Sequence, residues 1–501
     1  MATPKRHVDE EMDTTPKRRR FDVALENDIA NVPDILLVMV LAHLDVADLL
    51  NCRVVCKRLL RLVADRDVWR HRILCNGYRA NANALLHLAP CLKELFILGD
   101  TLSLTTTKCA VEELHLHISF AANELHQPVV TSAELALVVR VQEALGRLKR
   151  LHLRCSRQLA DGDVLLRTLA ANSDLESLEL LGLAPFANQP VLQGPTRSSL
   201  KRFQCILTQN SESFVTTVLA GHAATLETID LGVPSHKYRA YAGGTVDTTT
   251  ARLLGAMPNL QELRCGLVPG LESLATSETL KVLRLIVHTF ERRAIEGAAE
   301  TLRGASQLRT VSLDYSYTNG NEDRASEVGV KLIDALGSSR RRSQVEWLSL
   351  NAPPQVWPLL RALPSLAALR VLSVHMSLDD EVLLPRITPD TAPGLRVLVL
   401  HSNSEDSNLL AECTHQWMHE ERVTAAVLRN PSLHILAWES FQCGDDDCVA
   451  CTQGCHQEEV VWGQTLGLTS HDLEECPSPE HHDDEPGGWK CSWVLIRENP
   501  A

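Results

Sequence analysis

LKELFIL at residues 92–98, VEELHLH at 111–117, LKRLHLR at 148–154 and LESLELL at 175–181 are one phrase, L-x-x-L-x-L, written four times. It returns as LKRFQCI at 200, LETIDLG at 226, LQELRCG at 260, LKVLRLI at 280, LRTVSLD at 308, VEWLSLN at 345, LRVLSV at 369, LRVLVLH at 395 and LHILAWE at 433. The thirteen starts lie 19 to 38 residues apart and average about 28. Apolar residues at alternate positions predict a short strand at each phrase, with its leucines turned toward one face. The intervening segments read as helices. TSAELALVVRVQEAL (131–145) places Thr131 three residues before Glu134, a capping-box arrangement, and SEVGVKLIDALGSS (326–339) and HEERVTAAVLRNPSL (419–433) carry helical apolar spacing.

Strand plus helix at this period is the leucine-rich-repeat pattern. It predicts an α/β solenoid with a parallel sheet inside and helices outside. The residue between the last two motif leucines then faces the concave side. That row runs Phe96, His115, His152, Glu179, Gln204, Asp230, Arg264, Arg284, Ser312, Ser349, Ser373, Val399 and Ala437. A second row two residues earlier contains Glu94, Glu113, Arg150, Arg202, Glu262 and Trp347. Exposed Trp and Arg on a rigid sheet suit protein recognition. Glu179, Asp230, Arg264, Arg284 and Trp347 are the candidate target-binding residues.

The composition agrees. Apolar residues make up 45% of the 501 and aromatics 4%, so the core is built from Leu, Val and Ala. Net charge is −14, although the first twenty residues hold six Lys/Arg against four Asp/Glu. An acidic body disfavours broad nucleic-acid binding, which needs a basic face. The N-terminus lacks the apolar segment of a signal peptide, and no run approaches a membrane span, so a reducing, intracellular setting is expected. Most of the 15 cysteines, Cys205 and Cys265 among them, sit in apolar runs where a thiol acts as a small hydrophobe.

Ahead of the repeats, residues 32–75 contain 28 apolar residues out of 44, too many for three short helices to hide alone. Pro33 opens a helix with Leu36, Leu37, Val40, Leu41 and Leu44 on it. Asp45 is placed to cap a second helix from Val46; Val55, Leu59, Leu62 and Val63 form a third stripe; Asp65 starts a last turn carrying Trp69. The order V-P-D-x-L-L, V-L-x-x-L, D-L-L-x-C-R-x-V-C-K-R and D-x-x-W-R resembles an F-box, with Val32 where Leu is usual and Leu59 where an aromatic is frequent. The resemblance implies docking onto the Skp-type adaptor of a cullin–RING ubiquitin ligase. Pro33, Ile35, Leu36, Leu41, Leu44, Leu49, Leu50, Val55, Cys56 and Trp69 would be the core or adaptor-facing positions. An F-box followed by leucine-rich repeats is similar to the substrate receptors of SCF ubiquitin ligases. It implies a non-catalytic subunit in which the N-terminal helices hold the ligase and the solenoid holds the target.

The ends carry separate signals. Residues 1–30 read as a disordered basic tail, 31–75 as the helical module, 76–442 as the solenoid and 443–501 as a Cys-rich acidic segment and cap. Lys5-Arg6 and, ten residues on, Lys17-Arg18-Arg19-Arg20 look like a bipartite nuclear-import signal, giving a nuclear and also cytoplasmic expectation. Two Thr-Pro-Lys-Arg units there resemble proline-directed kinase sites. Cys443, Cys448, Cys451 and Cys455, followed by His456, are spaced so that they could wrap one metal, with Cys476, His481, His482 and Cys491 as a second half-site. They read instead as an acidic loop with thiols, and no metal or cofactor is assigned. His115, His117 and His152 read as surface polarity. Two rival readings stay open: a nuclear repeat scaffold whose residues 32–73 merely cap the solenoid, and a zinc-dependent enzyme built on the C-terminal cysteines.

Overall fold

A computed structural model describes residues 31–75, 82–98, 102–118, 130–155, 162–182, 189–232, 247–287, 291–315, 322–339, 342–353, 355–376, 380–402, 417–438, 465–472, 475–476 and 491–496. The tail with Lys5, Arg6, Lys17, Arg18, Arg19 and Arg20, the cysteines 443, 448, 451 and 455, and His456, His481 and His482 lie outside the described residues.

The N-terminal module is four helices: α1 (Asp34–His43), α2 (Val46–Val55), α3 (Lys57–Val63) and α4 (Arg66–Trp69). Asp45 caps α2 by accepting from the Asp48 N–H at 2.7 Å, and Asp65 caps α4 by accepting from the Asp67 N–H at 2.8 Å. Val55 does not join the third stripe. Cys56 is extended, with φ at −157°, so α2 ends at Val55, and the Cys56 Sγ accepts from the Leu59 N–H at the start of α3.

Among the described residues sixteen strands form a single sheet in chain order. They are β1 (Ile73–Cys75), β2 (Cys91–Leu98), β3 (Ala110–Ile118), β4 (Arg150–Cys155), β5 (Ser177–Gly182), β6 (Arg202–Gln204), β7 (Thr228–Leu231) and β8 (Glu262–Gly266). The series continues through β9 (Val282–Ile286), β10 (Thr310–Asp314), β11 (Trp347–Asn351), β12 (Val371–Met376), β13 (Val397–Ser402), β14 (His434–Trp438), β15 (Thr465–Thr469) and β16 (Cys491–Leu495). The thirteen phrases are β2 to β14. Each pairs with the next in parallel, and the motif leucines, such as Leu348 and Leu350, are fully buried between sheet and helices. Each such leucine contributes roughly 1.5–3 kcal/mol. The capping box predicted at Thr131 is present on α5 (Ser132–Ala144).

β1, which the sequence places within the N-terminal module, is the sheet's first strand; it pairs with β2 from Ile73 opposite Glu94. At the other end β15 runs antiparallel to β14, and β16 is parallel to β15. Cys205 and Cys265 are wholly buried, and burial pushes both thiols up, Cys265 to about 12. No described helix is long and apolar enough to cross a membrane.

One buried histidine makes the solenoid acid-sensitive. His222, at the end of α6 (Glu212–His222), accepts at Nδ1 from the Ser199 and Leu200 N–H groups at 3.1 and 3.2 Å. Burial lowers its pKa to about 4. The neutral ring is therefore the folded form. Stability is full above about pH 6.5 and falls as pH drops toward 4, by about 3 kcal/mol at most. Urea unfolding of the wild type from pH 7 to 4.5 should show this slope. His222→Gln, which can still accept but cannot take up the proton, should reduce the slope, leaving the part due to His401, whose pKa burial also lowers to about 4; equal slopes would refute the assignment.

Candidate functional site

Two surfaces stand out, one at the N-terminal end and one on the concave face. The N-terminal module has a buried side and an open side. Leu41, Leu49, Leu59, Leu62, Val63, Val68 and Trp69 are buried and belong to the same continuous core as the repeats. Trp69 donates from Nε1 to the Val63 carbonyl at 2.6 Å. Arg72 binds the module to the sheet. Its Nε donates to the Val68 carbonyl at 2.8 Å and its Nη2 to the Leu41 carbonyl at 2.9 Å, while its own carbonyl accepts from the Lys93 N–H of β2 at 3.0 Å. Arg58 and Arg61 on α3 both pair with Asp34 at the start of α1. The hydrogen bond from Arg58 leads the influences that hold the Asp34 carboxyl below its usual range.

The open side carries the unusual feature. Ile35 is 71% exposed and Val54 86%, and Leu36, Met39, Val40, Val55 and Leu60 are exposed as well. Ile35 with Met39, and Leu36 with Val40, are four residues apart, so α1 presents them as one stripe. Monomeric proteins rarely leave such clustered apolar side chains to water.

Of the expected adaptor positions, Pro33, Ile35, Leu36, Val55 and Cys56 are exposed, and Leu44 and Leu50 are half-buried. Leu41, Leu49 and Trp69 are buried and are the core members of that set. Met39, Val40, Val54 and Leu60 were missed. α1 is apolar nearly all round (DILLVMVLAH), so no amphipathic period separates its faces.

The concave face follows the predicted rows closely. Phe96, His115, His152, Glu179, Gln204, Asp230, Arg264, Arg284, Ser312, Ser349, Ser373 and Val399 stand opposite one another, strand after strand. The last member is Leu436, not Ala437. The β14 register pairs Leu436 with Val399, and Ile435 takes the inward place opposite Leu398. A one-residue slip exchanges the faces of a strand, and Leu433, Ile435 and Leu436 are apolar in either register. Val397, Val399 and Leu436 form a small apolar cluster with Trp493 of β16 against it, so this end of the row is covered.

Phe96, His115 and His152 stack, with centroids 4.1 and 4.2 Å apart. His115 Nε2 lies 3.0 Å from Glu94 and 3.1 Å from Glu113; His152 lies 2.8 Å from Glu179 and 3.2 Å from Glu113. Burial pulls His152 down, but the hydrogen bond and charge of Glu179, with the charge of Glu113, outweigh it and leave its pKa raised. Burial and the neighbouring His152 leave His115 lowered. Glu113, His115 and His152 are near enough to suggest a metal, whereas His117 lies one step along, opposite Leu98 and Arg154. The two rings are parallel to within 2°. An ion lies close to the plane of each imidazole that binds it, and parallel stacked planes share no such point, so this cluster is a charge ladder rather than a metal site.

Further along, a groove of about 480 Å³ is lined by Glu179, Asp230, Arg264 and Arg284 together with Arg202, Glu262, Asp314, Asn351 and His375. Arg264 pairs with Asp230 at 3.1 Å and Arg284 with Glu262 at 3.0 Å. Trp347 lies outside the lining of this groove, 43% exposed on β11. Four of the five candidate target residues thus come together. Asp314, Asn351 and His375 were missed. The same period-2 count, carried one residue pair past Ser312, Ser349 and Ser373, finds them.

Residues 29–75 match the F-box-like family model. No curated protein matches the chain. Among solved structures, the leucine-rich repeat-containing protein LegL7 from Legionella pneumophila is similar at 14% identity, covering 72% of this chain and 97% of that one, with a TM-score of 0.34. The repeat fold of the present chain rests on its own strand order and register. The chain combines an F-box-like module with a leucine-rich-repeat solenoid, the make-up of the F-box/leucine-rich-repeat proteins.

Proposed function

We propose that the chain is the substrate-recognition subunit of an SCF-type cullin–RING ubiquitin ligase. Its F-box-like helices would hold a Skp-type adaptor, and the adaptor a cullin. The observation that carries this reading is the exposed apolar stripe on the very helices that match the F-box-like model. The concave groove, with its alternating acids and arginines, would hold the target protein. Such a subunit needs no catalytic group of its own: holding target and charged ubiquitin carrier together raises the effective concentration of the target's lysines.

The rival reading, a repeat scaffold outside any ligase, draws on the buried side of the module, which does close the solenoid's first repeat. A pure cap would have no use for the open side. Affinity purification of the full chain with a neddylation inhibitor present, followed by mass spectrometry, separates the two. Adaptor and cullin should be recovered with the target, and their absence would leave the scaffold. The basic tail supports action in the nucleus. A tagged chain with Lys17, Arg18, Arg19 and Arg20 changed to alanine should move to the cytoplasm on imaging, and unchanged nuclear signal would remove that assignment.

A further inference from the structure

The solenoid's C-terminal end holds a second set of donor side chains, at the covered end of the concave rows and outside both the groove and the N-terminal module. His434, the first residue of β14, is fully buried. His471 follows β15, and Cys476 lies five residues beyond it. One donor atom from each of the three lies within 4.8 Å of the others.

The geometry points to a zinc-type divalent cation bound by His434, His471 and Cys476, which clamps the antiparallel cap onto the last parallel strand. Three observations converge on it. First, His434 Nε2 is 3.4 Å from the Cys476 Sγ. Metal–nitrogen bonds of about 2.0–2.1 Å and metal–sulfur bonds of about 2.3 Å, at a tetrahedral angle, set N and S roughly 3.5 Å apart.

Second, the His434 and His471 rings stand at 90° with centroids 5.0 Å apart. Two imidazoles on one tetrahedral ion place their ring centres about 5 Å apart, and perpendicular planes share a line on which that ion can lie. The parallel rings of His115 and His152 offer no such line.

Third, each imidazole is held through its other nitrogen by a backbone carbonyl. His434 Nδ1 is 3.1 Å from the Arg396 carbonyl, and His471 Nδ1 is 2.8 Å from that of Pro431. An Nδ1–H donated to a carbonyl sets the tautomer whose Nε2 lone pair binds metal, the usual outer support of a metal-binding histidine. Thr469 Oγ1 rests on the His471 ring, 2.9 Å from Nδ1 and 3.2 Å from Nε2.

Thiolate plus two imidazoles selects zinc over calcium or magnesium, which take oxygen. The fourth tetrahedral position is left to water or one further donor. The structural reason for such a clamp is local. A repeat array needs a distinct cap where stacking stops, and here the cap begins where the sheet turns antiparallel between β14 and β15.

The test uses the purified full chain, loaded with zinc chloride, dialysed and assayed for metal by elemental analysis. His434→Gln and Cys476→Ser should each lose about one zinc per chain relative to the wild type. Replacing zinc by cobalt should give the wild type a tetrahedral visible spectrum and a thiolate-to-cobalt charge-transfer band that Cys476→Ser lacks. A variant lacking Cys443, Cys448, Cys451 and Cys455 should keep that Cys476-dependent band. Zinc that is lost with those four cysteines yet retained in His434→Gln would overturn the proposal. So would a wild type that binds no cobalt tetrahedrally, a readout that does not depend on either variant folding.

Discussion

Ile35→Asp combined with Val54→Asp is expected to abolish recovery of a Skp-type adaptor with the full chain, while leaving its thermal unfolding nearly unchanged. Both side chains are among the most exposed apolar groups of the module, one at the start of α1 and one near the end of α2. In the isolated chain each aspartate meets water, and an exposed substitution away from caps and cores changes stability by about 0.5 kcal/mol or less. In the complex each must leave water against an apolar wall. Loss of one buried anchor costs about 2 kcal/mol or more, which is roughly thirtyfold in affinity, and two together exceed a hundredfold. Quantitative pull-down against the wild type reads this directly. An adaptor yield equal to that of the wild type would end the proposed docking role of the open side.

Trp69→Ala should do the opposite, unfolding the module without touching its outer surface. Trp69 is 2% exposed, packs in the common core, and bonds through Nε1 to the Val63 carbonyl. Removing a buried tryptophan costs about 3–5 kcal/mol, and its carbonyl partner loses a donor. Hydrogen exchange should accelerate across α1 to α4 and β1 while β5 to β12 keep their protection, because each repeat mainly contacts its neighbours. Unchanged exchange in α1 to α4 would mean that the module does not depend on this core. Leu49→Asp belongs with this variant and not with the surface pair. Leu49 is fully buried, so an aspartate there places an unpaired charge in the core. Judged from the motif alone, Leu49 and Leu50 look like natural places to break adaptor binding. At Leu49 the result would report unfolding instead.

How far the sequence could be read depended on the kind of signal. Along β2 to β13 the motif's inward apolar residues recur at every second position, and both concave rows follow residue by residue. Phe96 to Arg284 therefore needed no structure to be ordered. At β14 the alternation fails, with apolar Leu433, Ile435 and Leu436 close together, and Ala437 gave way to Leu436. β1, β15 and β16 carry no L-x-x-L-x-L phrase; they join the sheet because an end strand presents backbone groups that any extended neighbour can satisfy. His471 and Cys476 lie close together in sequence, but His434 is far from both, on the other side of the residues between β14 and β15. Only the turn from β14 into an antiparallel β15 brings them together.

By itself the sequence determined the repeat, its strand faces, the helix caps at Asp45, Asp65 and Thr131, and the F-box-like order of the first helices. All of these arise from spacings of a few residues, which local backbone geometry converts into faces and ends. Only the tertiary structure decided which of the module's apolar side chains are sealed and which are offered to a partner. α1 is apolar on every side, so its sequence holds no periodic preference for one face. The choice falls to whatever packs against it: Leu41 turns into the core that the module shares with the repeats, and Ile35, Leu36, Met39 and Val40 are left facing water.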